Sequence, residues 1–205
     1  MLYNEMGLRI MKHFLMLVFF GIFIDTGCFA QAQTFTAIED SVSVIVTGES
    51  TLHDWTVTVS GITNYPAELT LTPAEGEVID AFSIQIGVVS MDGGRGSAMN
   101  EKIHTALEST SFPSIIYTQS GTATIKQNDN SSFTIVSNGI LNVAGASRNV
   151  SIEVIVIVND GFLKLSAHQE LKMSDFGIDP PSAMFGQIQT KDDIAVDIAF
   201  TYQLN

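Results

Sequence analysis

Histidine is the side chain that changes charge near neutral pH and serves most often as a general base. Beyond residue 32 the chain carries three, His53, His104 and His168. His53-Asp54-Trp55 sets an imidazole beside a carboxylate, but these residues open an extended run, where neighbours point to opposite faces. Asp54 therefore cannot orient His53 as a base. Two readings remain: Trp55 is core and His53 hydrogen-bonds a turn, or His53 and Trp55 belong to the wall of a ligand cavity. No two of the three histidines stand at i,i+2 or i,i+4, and neither Cys-x-x-Cys nor His-Glu-x-x-His occurs. A metal site is not expected. No Gly-x-Ser-x-Gly elbow is present. Gly93-Gly94-Arg95-Gly96-Ser97 is glycine-rich ahead of a helical pattern, as a phosphate cradle would be. It lacks the Lys-Ser/Thr ending of a P-loop and reads instead as a hinge or lid approach. No catalytic residue and no enzyme is expected. Two rival readings are an exported hydrolase or isomerase that uses one of the histidines with a nearby carboxylate, and a structural barrel with a filled interior whose outer face binds a protein partner.

The other chemistry on offer is apolar binding. Met173-Ser174-Asp175-Phe176-Gly177-Ile178-Asp179-Pro180-Pro181-Ser182-Ala183-Met184-Phe185-Gly186 cannot be regular structure, yet it carries five large apolar side chains. Loops normally lie in water, so these side chains either plug the end of a core or line the mouth of a cavity. Met99, Ile103, Leu107 and Phe112 add to this supply, and methionine suits surfaces that adapt to varied apolar partners. The candidate ligand-binding set is His53, Trp55, Met99, Ile103, Leu107, Phe112, Met173, Phe176, Met184 and Phe185. Arg95, Lys102 and Arg148 are the cations available to a charged headgroup.

Strands must position these residues. Val42/Val44/Val46, Trp55/Val57/Val59, Phe82/Ile84/Ile86/Val88, Ile152/Val154/Val156/Val158 and Ile194/Val196/Ile198/Phe200/Tyr202 alternate with small or polar partners, the period of a half-buried strand. Asn159-Asp160-Gly161 signals a tight hairpin, and Gln127 to Ser132 reads as a polar loop. Asn138-Gly139 fits a hairpin or a bend inside one long strand. About eight strands joined by short turns predict an all-β fold, an antiparallel up-and-down barrel. One segment breaks the period: Met99, Ile103, Ala106 and Leu107 recur at helical spacing over 98–109, behind Ser97 as N-cap and ahead of Pro113.

Arg9, Lys12 and His13 precede an apolar run from Phe14 to Ile24, and Ala30-Gln31-Ala32 follows. This is the pattern of a secretory signal peptide over residues 1–32, with the folded domain at 33–205. Met11 is a second candidate start. The run of eleven residues falls short of the ~20 that cross a bilayer, so no stable membrane span is expected. A lipoprotein would use Cys28, but Asp25 fits an apolar recognition position badly. The expected location is the periplasm or outside the cell. Cys28 is the one cysteine and leaves with the leader, so the mature fold has no disulfide. The net charge of −13 excludes nucleic acid as a partner.

Four segments in order resemble the YceI-like family of exported, lipocalin-like polyisoprenoid-binding proteins. They are Gly48-Glu49-Ser50-Thr51-Leu52-His53-Asp54-Trp55, Ser111-Phe112-Pro113-Ser114-Ile115-Ile116-Tyr117, Gly139-Ile140-Leu141-Asn142-Val143-Ala144-Gly145 and Met173-Ser174-Asp175-Phe176-Gly177. The resemblance runs from about Phe35 to the end. It implies an eight-stranded antiparallel lipocalin-like barrel with one helix, an elongated apolar pore for an isoprenoid tail, and Asn138-Gly139 as a bend. It also makes a homodimer an expectation. Two departures stand out: Ala146-Ser147-Arg148 where many members have Val-Thr-Lys, and the Asp179–Gly186 extension near the pore mouth. The expected occupant is a long-chain apolar lipid, an isoprenoid quinone or polyprenyl derivative, with no other cofactor. A diphosphate in so acidic a protein would need more cations than Arg95, Lys102 and Arg148, which favours a neutral head such as a quinone.

Overall fold

The computed structural model describes residues 32–71, 76, 78–129 and 131–205; the expected leader lies outside these apart from Ala32. The strands are β1 (Gln33–Ala37), β2 (Ser43–Ser50), β3 (Trp55–Val59), β4 (Ile62–Thr63), β5 (Glu68–Leu71), β6 (Val78–Ile79), β7 (Ser83–Gly87) and β8 (Met91–Asp92). After the helix α1 (Ser97–Ala106) come β9 (Ser114–Gln119), β10 (Ala123–Gln127), β11 (Ser132–Val143), β12 (Ala146–Asn159), β13 (Phe162–Lys172), β14 (Ser182–Ala183) and β15 (Ile188–Leu204). No helix among the described residues is long and apolar enough to cross a membrane.

Pairing is antiparallel throughout, in the order β4-β7-β9-β11-β12-β13-β15-β2-β3-β8. The two ends of this path are continuations of one another in the chain. Val59 pairs with Met91 and Ile62 with Ile86, and between them the Gly87 amide donates to the Gly61 carbonyl at 2.8 Å. The sheet thus curls until its ends share residues 55–63 and 83–92. The expected count of eight does not appear as such: the described residues hold fifteen strand segments. A 3-10 turn at Val88–Ser90 splits one run, the step at 60–61 splits another, and β1, β5, β6 and β14 are short additions at the rims.

Local chemistry explains the ends of these elements. Asp160 and Gly161 both have positive φ (48° and 79°), the conformation of a two-residue hairpin whose twist matches the flanking strands. Asn138-Gly139 lies inside the unbroken strand β11, as a bend reading requires. Its glycine serves close approach: a Cβ there would sit 2.6 Å from the Tyr117 ring. The helix starts one residue earlier than expected, with Ser97 already inside it and Gly96 preceding it at φ 81°. Ser97 is therefore not the N-cap.

Inward side chains form three apolar clusters. One contains Phe35, Phe133, Leu163, Phe200 and Tyr202. A second gathers Val44, Val57, Val59, Val88 and Met91, with Trp55, Ile103 and Leu107 against it. The third is Val143, Met173, Phe176 and Ile178, again with Leu107 against it. Burying a Leu, Val or Phe side chain stabilises the fold by roughly 1.5–3 kcal/mol.

Candidate functional site

The first cluster does not fill its end of the sheet. It surrounds a partly open cavity of about 100 Å³, smaller than the ~300–1,000 Å³ of typical small-ligand sites. The walls follow from strand alternation: Phe133, Ile135 and Ser137 on β11, Ile152, Val154 and Val156 on β12, Leu163 and Leu165 on β13, Ile198, Phe200 and Tyr202 on β15. Tyr65, Pro66, Leu69, Ile79, Phe82, Ile84, Tyr117, Ile125, Ser166 and Ala167 complete it. No lining residue carries a charge. Aromatic pairs stiffen the wall, with ring centroids 5.5 Å apart for Tyr65–Phe200 and 6.1 Å for Phe82–Tyr117.

Polar groups enter this wall at a few points. The Tyr117 hydroxyl lies 2.6 Å from Ser137 Oγ, and Ser137 donates to Gln119 Oε1 at 2.8 Å. Gln119 Nε2 donates to the Gly121 carbonyl at 3.0 Å. Ser137 is 1% exposed and Gln119 3%, so this is a buried and paired network. Burial pushes the Tyr117 phenol above its ordinary value, opposed in part by the hydrogen bond to Ser137. Burial, followed by the neighbouring Tyr65, raises Tyr202 further still. The Tyr202 hydroxyl donates to the Pro66 carbonyl at 2.9 Å.

The ten residues expected to bind ligand lie elsewhere. None of them lines this cavity. Trp55, Ile103 and Leu107 pack in the second cluster, Met99 lies over Gly93 and Phe112 over Gly145. Met173 and Phe176 are buried in the third cluster. Ser174 fixes them there: its amide donates to the Asp192 carboxylate at 2.8 Å and its hydroxyl to the other oxygen at 2.5 Å. The Ser174 hydroxyl and amide hold the Asp192 carboxyl below its usual range. Gly177, at φ 72°, lets the chain turn out of the loop. The apolar loop thus divides: Met173, Phe176 and Ile178 plug the end of the core, whereas Met184 and Phe185 are exposed, both at positive φ.

None of the three histidines lines the cavity. His53 is exposed, with Nδ1 2.9 Å from the Asp54 carbonyl and Nε2 2.6 Å from Arg95 Nη1. Since Arg95 can only donate, Nε2 accepts and Nδ1 carries the proton. His168 pairs with Asp197 at 2.7 Å on the outer face, and that hydrogen bond raises its pKa. His104 Nε2 is buried without a partner, in the last turn of α1. Arg95, Lys102 and Arg148 are all exposed. Among the described residues no cluster of three or more metal-ligating side chains occurs.

Alternation marks the cavity walls at Phe82/Ile84, Ile152/Val154/Val156 and Ile198/Phe200/Tyr202, but nothing in such a run distinguishes a hollow interior from a filled one. One signal was present. Ser137 and Gln119 fall at inward positions of otherwise apolar alternation, Phe133/Ile135/Ser137 and Tyr117/Gln119, and a buried polar side chain at such a position marks a site or a network.

An antiparallel sheet curled round an apolar interior, with a helix packed against it, defines the described residues as an all-β protein. Within that class the chain belongs to the YceI-like family, whose domain model matches residues 37–202. Solved structures agree at the level of the fold. Burkholderia cenocepacia BcnA superposes with a TM-score of 0.60 at 14% identity, over 80% of this chain and 98% of that one. A polyisoprenoid-binding domain from Saccharophagus degradans, implicated in plant cell wall breakdown, gives 0.56 at 12% identity over 85% and 100% of the two chains. The Campylobacter jejuni YceI protein gives 0.54 at 14% identity over 73% and 84%. No curated protein sequence matches the chain.

Proposed function

We propose that the protein is an exported carrier that shields a long apolar lipid, an isoprenoid quinone or polyprenyl derivative, inside its curled sheet. The observation that carries this reading is the uncharged, almost wholly apolar cavity at one end of the interior. Membership of the YceI-like family and likeness to a polyisoprenoid-binding domain support it. On this reading the eight staves would run over 43–50, 55–63, 83–92, 114–127, 132–143, 146–159, 162–172 and 188–204. A barrel of about eight strands has an interior that side chains just fill or that holds one small ligand.

The energetics are adequate. Burying ~20 methylene equivalents at ~0.8 kcal/mol each is worth ~16 kcal/mol gross, from which ordering costs are subtracted. The cavity alone holds only part of such a chain, so the occupant extends through the mouth or spreads the walls. Selection is by shape and is loose with respect to chain length. A neutral head follows from the absence of charge among the lining residues. Family membership and the polyisoprenoid-binding neighbour favour binding over turnover. Export rests on the Arg9/Lys12 n-region, the apolar run and Ala30-Gln31-Ala32, and places the carrier in the periplasm or outside the cell. Pairing of two copies belongs to the same reading.

The test is to express the full chain in a membrane-bearing host and compare native with denaturing mass spectra of the purified protein. The expected result is a bound mass of several hundred daltons, released on unfolding and soluble in organic solvent. A bare protein mass, unchanged after incubation with quinones and polyprenols, would overturn the reading.

A further inference from the structure

The hydrogens of the Tyr117–Ser137–Gln119 network can be assigned by elimination. Gln119 Nε2 faces three backbone carbonyls, those of Gly121 at 3.0 Å and of Ile79 and Asp80 at 3.4 Å each. Reversing the amide would set Oε1 against all three oxygens, so the amide has one orientation. Oε1 then faces Ser137 and must accept, which uses the one hydroxyl hydrogen that serine owns. The contact of 2.6 Å between Tyr117 and Ser137 therefore has Tyr117 as donor. The relay runs one way, from Tyr117 to Ser137 to Gln119 to the backbone. Each hydroxyl proton in it is already spent.

At the cavity wall the relay leaves no donor, only unused acceptor capacity on the Tyr117 and Ser137 oxygens. Tyr202, the other deeply buried lining tyrosine, also spends its proton, on the Pro66 carbonyl. Gly139 admits the Tyr117 ring to this place, since any Cβ there would overlap it.

We propose that the one-way relay makes Tyr117 an acceptor-only contact, so that the cavity selects lipids whose buried polar end carries a hydroxyl donor over those ending in a carbonyl. The preferred class is the polyprenols, prenylated phenols and reduced quinols; oxidised quinones and aldehydes are disfavoured. A hydroxyl donates to the Tyr117 oxygen and completes its pairing. A carbonyl in the same place sets two acceptors against each other and leaves both unpaired, the costly arrangement for buried polar atoms. This inference rests on the carrier reading above and specifies the head that the cavity accepts.

Geranylgeraniol and its aldehyde are a matched pair of probes with the same chain, differing at the head by a donor. Binding of each is measured by native mass spectrometry and by quenching of tyrosine and tryptophan fluorescence, with wild type, Tyr117→Phe and Ser137→Ala, each checked for an unchanged fold by circular dichroism. Wild type is expected to hold the alcohol roughly tenfold more tightly, the worth of one net hydrogen bond. Tyr117→Phe should erase that ratio by weakening the alcohol while the aldehyde, no longer facing an opposing acceptor, binds at least as well. Ser137→Ala frees the Tyr117 proton to point into the cavity and should tighten the aldehyde, an effect that a merely structural role for Ser137 would not produce. Equal binding of the two probes by wild type, or equal losses in Tyr117→Phe, would overturn the inference while leaving the carrier reading intact. Binding of neither probe would overturn both.

Discussion

The two ends of the curled sheet start from the same alternation of inward apolar residues and finish differently. At one end the strand side chains are met by additional elements. Ile103 and Leu107 of α1 press on the second cluster, and Met173, Phe176 and Ile178 of the loop after β13 close the third. At the other end the cover is thin: β1 and β5 contribute Phe35 and Leu69, Tyr65 leans on Phe200, and a void is left between the walls. In an interior of about this width, strand side chains fill the space or leave room for one small ligand. This one is solid only where a helix and a loop supply extra volume. On the proposed reading the plugged end serves stability and the hollow end holds the ligand, and substitutions should separate the two.

Phe176→Ala should give the largest effect. It removes a buried ring from the plug and is expected to lower the unfolding free energy by about 3–5 kcal/mol in denaturant titrations, with no change in lipid retained by the folded protein. Leu165→Ala, at the hollow wall, opens into space that already exists and should cost less. Equal losses at the two sites would break the comparison. Gly139→Ala comes next. Its Cβ would sit 2.6 Å from the Tyr117 ring, so overpacking is expected to cost about 1–3 kcal/mol and to loosen the relay at the hollow end.

Ala167→Phe should do the reverse of Phe176→Ala. The new ring enters the cavity that Ala167 lines, so bound lipid is expected to vanish while the thermal midpoint holds or rises. Retention of lipid with a lowered midpoint would contradict the assignment of the cavity.

Titration offers a smaller test. Tyr117 and Tyr202 have folded pKa values raised by burial. The folded state therefore keeps protons that the unfolded state releases near pH 10. Their contribution to stability is intact below that pH and declines as pH rises toward the folded values. In spectrophotometric titration, these two tyrosines should ionise late and together with unfolding. The smallest effect is expected from Arg95→Ala and Arg148→Ala: both residues are exposed and outside the cavity, so lipid occupancy should not change.

Much of the fold was legible because alternation is a physical requirement of a half-buried strand, and Asn159-Asp160-Gly161 announced its hairpin. Ala144 did not, although it takes a left-handed conformation at φ 46° in the β11–β12 turn; alanine gives no such signal, and pairing along twenty-odd residues of flanking strand imposes it. The breaks at 60–61 and 88–90 were invisible for the same reason, since they arise from closing the sheet. The site was the least legible part. Met and Phe outside strands drew attention because loops seldom hold them, yet Met173 and Phe176 are buried as packing, and the cavity is walled by ordinary valines, isoleucines and leucines. Volume left over is a property of three-dimensional closure, and no local pattern records it. The polar residues at inward strand positions, Ser137 and Gln119, were the readable trace.

Photocrosslinking tests the central claim most directly. An isoprenoid alcohol carrying a diazirine in its chain would be bound to the full-length protein and irradiated, and the labelled peptides mapped by mass spectrometry. Label is predicted on β12, β13 and β15 at hollow-end residues such as Val154, Leu165, Ile198 and Phe200, and not on Met173 or Phe176. Label concentrated on the 173–186 loop and α1, with the hollow-end strands unmarked, would contradict the account.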